Sequence, residues 1–305
     1  MNTPSTILNR PSPLLQTVAR ADIRGQAWLG TEPEPAGAQD LPVGKFRMVA
    51  QPICRVTRRG GPAWVEMLIR GTGTRADLSP MEIVRQGYAR AGLKFDLMVL
   101  DAALAAAAAL QPETRIGVNI RPCSLNQPGF IPSLQAMLMR RRIAPGRLVL
   151  ELVEYHGPVH LEQAGPALRR LRRMQVLIAL DDFGPGHPNL DVLSEELVDF
   201  VKLDRSLITA LAHSPRQVDV LRGIASLARS TGVELVAEGI ETPDQMNTLR
   251  RLGIEWMQGF LFGRPAPLAT QRAAGANATS STHRAIRSIS KSNSGFYLNQ
   301  KEYNA

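Results

Sequence analysis

The chain has 305 residues, 44% of them hydrophobic, and a formal net charge of +9. That is enough apolar material to fill the core of one large domain or two modest ones, and it excludes a chain too polar to fold. The charge favours anionic partners in general. The arginines, however, fall in helical patterns such as 140–142 and 169–173 with no aromatic residues between them, so solvated helix faces are expected and DNA is not an expected partner.

Cys54 and Cys123 stand far apart without a C-x-x-C pairing, which argues against a disulfide framework or a cysteine zinc site and leaves two buried thiols as the expectation. The first residues, MNTPSTILNRPSPLLQ, lack a long apolar run. The most apolar helix, 98–110, is interrupted by Asp101 and too short to span a bilayer, so a cytoplasmic protein without membrane contact is expected.

Composition divides the chain into a flexible leader at 1–44, a dense periodic domain at 45–268 and a Ser/Asn-rich, disordered tail at 269–305. In the middle part, runs with strand character alternate with helical segments. The strands are expected at 46–53 (FRMVAQPI), 64–70 (WVEMLIR), 115–120 (RIGVNI), 147–152 (RLVLEL), 176–181 (VLIALD), 198–203 (VDFVKL), 233–238 (VELVAE) and 256–259 (WMQG). Between them, PMEIVRQGYARAG, IPSLQAMLMRRR, EQAGPALRRLRRM, VDVLRGIASLARSTG and DQMNTLRRLG carry apolar residues at spacings of three and four, as helices packed on one face do. Such alternation implies an α/β fold with a parallel sheet. About eight strands in about 220 residues favour a closed (β/α)8 TIM-like barrel in a single domain over an open doubly wound sheet.

The polar residues do not scatter. Glu66, Asn119, Glu151, Asp181 with Asp182, Lys202, Glu238 and Gln258 fall one strand after another, mostly near the strand ends, and in a parallel barrel those ends open on one face. Alternation puts Glu66, Leu68 and Arg70 on one side of their strand and Val65, Met67 and Ile69 on the other, so Glu66 is expected to look into the barrel. A solvent-facing Glu66–Arg70 pair on an edge strand is the alternative for that strand alone.

Five carboxylates in apolar strands cost several kcal/mol each if desolvated without partners, and one lysine cannot neutralise them. The donors are all oxygen, which points to Mg²⁺ or Mn²⁺ before zinc or copper. Asp181 and Asp182 are adjacent, so they serve one site only if the pleat breaks there, as Phe183–Gly184 would permit; one of them can then bridge two metals roughly 3.5–4 Å apart. Capping of the following loop is the other reading of that pair.

In this order the motifs resemble the EAL-domain phosphodiesterases. The similarity runs from FRMVAQPI to QGFLFGRPAP and includes VNI (118–120), ELVE (151–154), ALDDFG (179–184), VKLD (201–204) and VAEGIE (236–241), with Glu66-Met67-Leu68 at the signature tripeptide, where the family has Ala at the middle position. The resemblance implies hydrolysis of cyclic di-GMP to linear pGpG on a (β/α)8 barrel with two Mg²⁺ or Mn²⁺ ions. It implies Glu66, Asn119, Glu151 and Asp181 as ligands of one metal, and Asp181, Asp182 and Glu238 around the other. Lys202 matches the lysine that orients water, Glu238 and Gln258 help to position the attacking hydroxide, and Gln51, Leu68 and Arg70 contact substrate. Glu154 matches the acid that steadies the loop after the paired aspartates, a loop that in the family couples the site to the interface of a homodimer.

The chain departs from the family in that loop, where Pro185, His187, Pro188 and Asn189 replace Thr or Ala, Tyr and two serines, and in Val153, where Thr is common. Two prolines stiffen the backbone and remove donors. Two functions from different classes follow: an active hydrolase, or a domain that binds cyclic di-GMP or a protein without turnover. Another metal-dependent barrel enzyme, such as an enolase-like one, accounts for the acids and the lysine but not for the ordered motifs. His156 and His160 have ligand-like spacing but no companion ligand, and GTGT (71–74) reads as a turn. In the tail, Phe296 and Tyr297 are candidates for docking a protein partner.

Overall fold

The structure, a computed structural model, describes residues 46–56, 64–153, 161–184, 196–212 and 214–268. Eight strands close into a barrel in sequence order: β1 Phe46–Arg55, β2 Trp64–Gly71, β3 Arg115–Ile120, β4 Leu148–Leu152, β5 Leu177–Phe183, β6 Phe200–Leu203, β7 Glu234–Ala237 and β8 Trp256–Gln258. Each matches an expected run to within a few residues. The direction of β1 does not match. It runs antiparallel to both of its neighbours, with Gln51 opposite Glu66 and Ile53 opposite Gln258, while the remaining ladders from β2 to β8 are parallel. The wholly parallel sheet expected from the sequence is therefore corrected to a barrel with one reversed strand.

Helices cover the outside: α1 Pro80–Ala91, α2 Lys94–Ala106, α3 Pro122–Leu125, α4 Phe130–Arg141, α5 Leu161–Arg173, α6 Arg205–Thr209, α7 Pro215–Thr231 and α8 Pro243–Arg251. Local chemistry sets their starts. Ser79 accepts from the Glu82 amide ahead of Pro80, and Thr242 and Gln245 form a reciprocal capping box on α8. Asp101 on α2 ties to Arg140 and Arg141 at the end of α4, at 2.7 and 2.8 Å, and buried Asp96 accepts from Tyr88 and Ser124, joining α1, α2 and α3. Among the described residues no helix is long and apolar enough to cross a membrane.

Strand alternation divides the core in two. Outward residues such as Met67, Val118, Leu150, Ile178 and Val201 pack with Ile83, Leu100, Leu134 and Leu168 of the helices, so Met67 lies between sheet and helices as alternation required. Inward residues form a separate lower layer of Ile53, Trp64, Val149, Ala179, Phe200, Val236 and Trp256. Trp64 lies 4.9 Å from the Phe200 ring and 5.8 Å from Trp256, and the Arg115 guanidinium stands over Phe200 and Trp256. Burying a side chain of this size contributes about 1.5–3 kcal/mol, so this layer stabilises the barrel beneath the rim.

The two thiols depart from expectation. Cys54 is half-buried, and burial pushes its thiol up to about 11. Cys123 is exposed, because it sits on the outer side of the short α3. GTGT leads into a single 3-10 turn at Gly73–Arg75, in keeping with a turn. The leader 1–44, the tail 269–305 with Phe296 and Tyr297, His156, His160, Glu154 and the loop residues Pro185, His187, Pro188 and Asn189 lie outside the described residues.

Candidate metal and active site

Directly above the aromatic layer the inward positions turn polar. On β2 this is Glu66, two residues after Trp64; on β3 it is Asn119, two after Gly117; on β4 it is Glu151, two after Val149. The same two-residue step leads from Ala179 to Asp181, from Phe200 to Lys202, from Val236 to Glu238 and from Trp256 to Gln258. The period of two thus carries the parallel strands β2 to β8 from the lower interior layer to a polar ring above it.

Lys202 is the centre of that ring. Its Nζ lies 2.7 Å from Glu151 Oε2, 2.7 Å from Glu238 Oε1, 3.0 Å from Asp181 Oδ1 and 3.7 Å from Glu66 Oε2, and the side chain is 1% exposed. Burial alone would lower its pKa, but the carboxylates around it outweigh that and hold it well above the ordinary lysine value. The ammonium stays charged.

Glu66 accepts from Asn119 Nδ2 at 2.8 Å and from Gln258 Nε2 at 2.6 Å. Burial pushes the Glu66 carboxyl up, yet Lys202 and the two amide donors more than offset it, and the group stays below its usual range. Glu151 has no such donors. Burial drives it well above the ordinary value, with Glu66 and Asp181 adding to the shift against Lys202. Glu238 is pushed up to about 8, by burial first and by Asp181 and Glu66 in addition, again against Lys202. Asp182 is raised by burial and by the neighbouring Asp181.

The paired aspartates meet as the sequence required, although by another route. The pleat breaks at Asp182 itself, whose φ of 54° is left-handed, and the β5–β6 register shifts between Leu180 and Phe183. Phe183 resumes the strand, so the break expected at Phe183–Gly184 falls one residue earlier. Aspartate tolerates this conformation better than most residues, because its short polar side chain adapts to it. Carboxylate oxygens of Asp181, Asp182 and Glu238 consequently lie within 4.8 Å of one another, close enough to share a cation.

Other oxygens are also free to bind. Asn119 Oδ1 and Gln258 Oε1 are buried and accept no hydrogen bond among the described residues. An all-oxygen set of this kind suits a hard divalent cation.

A cavity of about 260 Å³ opens over the ring. Gln51 and Leu68 line it together with Glu66, Asp181, Lys202, Glu238 and Gln258. Gln51 is held by a bond from Nε2 to the Gly263 carbonyl at 3.2 Å. Arg70 is half-buried on the inward face of β2, two positions above Leu68, and its Nη1 donates to the Ile69 carbonyl at 2.7 Å; it does not line the cavity.

Arg205, Glu241 and Phe260 also border the cavity and were not singled out from the sequence. Each follows closely on a strand that carries a site residue, in VKLDR, VAEGIE and QGF, and that adjacency was the available signal. Arg205 pairs with Glu241 at 2.7 Å across the mouth. Gly239, next to Glu238, has a φ of 69°, and a Cβ there would collide with Arg205 Cγ, so this turn requires glycine.

The chain belongs to the EAL domain family, whose profile matches residues 38–265. It is 35% identical over 155 residues to the cyclic di-GMP phosphodiesterase NbdA of Pseudomonas aeruginosa, covering 51% of this chain and 20% of that protein. It is 30% identical over 236 residues to the cyclic di-GMP phosphodiesterase PdeF of Escherichia coli, covering 75% and 31%. Among solved structures it is similar to the PaMucR phosphodiesterase in complex with c-di-GMP, with a TM-score of 0.65 at 29% identity over 74% of this chain and 94% of that one. The Klebsiella pneumoniae BlrP1 complex with manganese and cy-diGMP at pH 9.0 gives a TM-score of 0.66 at 28% identity over 75% and 58%. The chain spans from 20% to 39% of the length of eight curated relatives that it matches.

Proposed function

We propose that this chain is a metal-dependent phosphodiesterase that hydrolyses cyclic di-GMP to linear pGpG, with two Mg²⁺ or Mn²⁺ ions at the rim. The observation that carries the reading is the charge of the ring. Glu66, Glu151, Asp181 and Glu238 surround the single ammonium of Lys202, and Asp182 stands beside Asp181 and Glu238, a formal excess of four negative charges that two divalent cations match. Without cations, the raised pKa values of Glu151, Asp182 and Glu238 show where protons are taken up instead, and cation binding displaces them.

In this reading Glu66, Asn119, Glu151 and Asp181 hold one ion, and Asp181, Asp182 and Glu238 hold the other. When bound, such ions polarise a phosphoryl oxygen and supply hydroxide at neutral pH. Lys202 keeps its proton, offsets the acids and orients water. Glu238 and Gln258 position the attacking oxygen in line with the phosphodiester. Gln51 and Leu68 bear on the substrate from the cavity wall, and Arg70 offers a planar guanidinium to a phosphate oxygen once it releases the Ile69 carbonyl. Glu154 steadies the loop after Asp182, and the chain works as a homodimer.

The altered loop motivates a second reading, in which the domain binds cyclic di-GMP and signals through a protein partner without turnover. Turnover of cyclic di-GMP by the purified chain, with Mg²⁺ or Mn²⁺ and with chelator, separates the two. Conversion to pGpG that Glu66→Ala abolishes is the expected result. Tight binding with no product would overturn the hydrolase reading in favour of the second.

A further inference from the structure

Trp64 stands directly below Glu66 on the inward face of β2 and is 1% exposed. Its ring is accounted for by packing on Phe200 and Trp256. Its N–H is not. The other tryptophan of that layer, Trp256, donates from Nε1 to Glu234 Oε2 at 2.8 Å, whereas Trp64 Nε1 has no acceptor among the described residues. A buried donor left without an acceptor is destabilising, and apolar contact does not offset the loss.

A lone acceptor borders the same spot, at Gly117. A Cβ built on Gly117 would collide with Glu151 Oε1 and stand 2.7 Å from Trp64 Nε1, so the two atoms border one slot that only a glycine leaves open. Glu151 is fully buried, and its Oε1 accepts no hydrogen bond, while Oε2 faces Lys202 Nζ at 2.7 Å. A donor without an acceptor and an acceptor without a donor therefore meet across the same gap.

We propose that Trp64 is a positioning residue for Glu151: the two groups are unbonded as they stand, and a small turn of the carboxylate across the slot at Gly117 lets the indole N–H donate to Oε1. With Lys202 on one oxygen and the indole on the other, the carboxylate cannot rotate, and it presents one fixed orientation to a cation at the rim. Partners of this kind, one step behind a metal-ligating carboxylate, typically change metal affinity 10–100-fold when removed. The consequence for metal affinity rests on reading the rim as a divalent-cation site; the hydrogen bond itself does not.

Two measurements test this. The first follows Mn²⁺ binding to metal-free protein by calorimetric titration. Trp64→Phe keeps the ring and removes the donor, and its Mn²⁺ affinity is expected to fall about 10-fold or more. Wild-type affinity in that variant, whether or not its Tm drops, would mark Trp64 as packing only and overturn the proposal. The second needs neither metal nor an intact variant at position 64. In protein carrying ¹⁵N-labelled tryptophan, the Trp64 indole proton is expected to resonate downfield beside that of Trp256, which already donates to a carboxylate, and to move upfield in Glu151→Ala. A Trp64 signal at the free-indole position that Glu151→Ala leaves unmoved would overturn the proposal. A failure of wild-type protein to bind Mn²⁺ would instead strike the cation reading of the rim, and the resonance would still decide the bond.

Discussion

Lys202 Nζ lies 2.7 Å from Glu238 Oε1, and that ammonium is the cation on which the buried acids of the rim converge. Lys202→Met should leave them uncompensated and destabilise the metal-free protein by about 3–5 kcal/mol, the usual result of removing one partner from a buried ion pair. Saturating Mn²⁺ should recover much of that loss. Urea unfolding with and without Mn²⁺ checks both statements, and a loss below about 1 kcal/mol would be inconsistent with the buried network.

Glu66 receives amide donors from two strands and faces Lys202. Glu66→Gln keeps its shape but removes the charge and brings its own N–H donors against those of Asn119 and Gln258. Turnover of cyclic di-GMP should fall by about 10–100-fold at temperatures where the variant is still folded, and Tm should drop as well because buried donors are left unpaired. Steady-state kinetics beside a thermal melt separates a site effect from unfolding.

The pH dependence of stability should change with metal. In the metal-free state Glu238 is raised to about 8, and Glu151 and Asp182 are raised as well. A carboxyl whose folded pKa exceeds its unfolded value contributes stability that is complete below the unfolded pKa and disappears as pH rises through the folded one. Glu66, which is lowered, acts in the opposite sense at the rim, as Glu82 and Asp101 do elsewhere. Stability in chelator should thus decline between about pH 4.5 and 8. Mn²⁺ should flatten or reverse the slope, and denaturant midpoints across that range give the answer.

Gly239→Val should damage the site without touching an acid. The left-handed backbone there disfavours a β-branched residue by roughly 1–2 kcal/mol, and the new side chain would meet Arg205. The turn that carries Glu238 has to shift, so Mn²⁺ affinity and turnover should fall together. Unchanged values for both would show that the turn is tolerant.

Much of the site was legible because the period of a strand is two. Glu66 could be assigned to the interior from its neighbours Val65 and Met67, and the adjacency of Asp181 and Asp182 demanded a backbone irregularity, which Asp182 supplies. Reversal of β1 was not legible in the same way, since alternation reads alike in both directions. The short connection was the clue: only residues 56–63 join β1 to β2, fewer than the dozen or more that a parallel crossover needs. Trp64 went unnoticed because its neighbours in space, Gly117 and Glu151, come from two later strands, and no local pattern links them. The exposure of Cys123 had no local signal either, since cysteine is among the most buried residue types.

Trp64, Phe200 and Trp256 fill the interior beneath the rim, and among the described residues the cavity over the acids opens on the rim side. Under the proposed function, a linear dinucleotide cut at the rim departs through the same mouth by which its cyclic parent arrived. Departing and incoming nucleotides therefore contend for the same entrance, and accumulated pGpG should act as a competitive inhibitor.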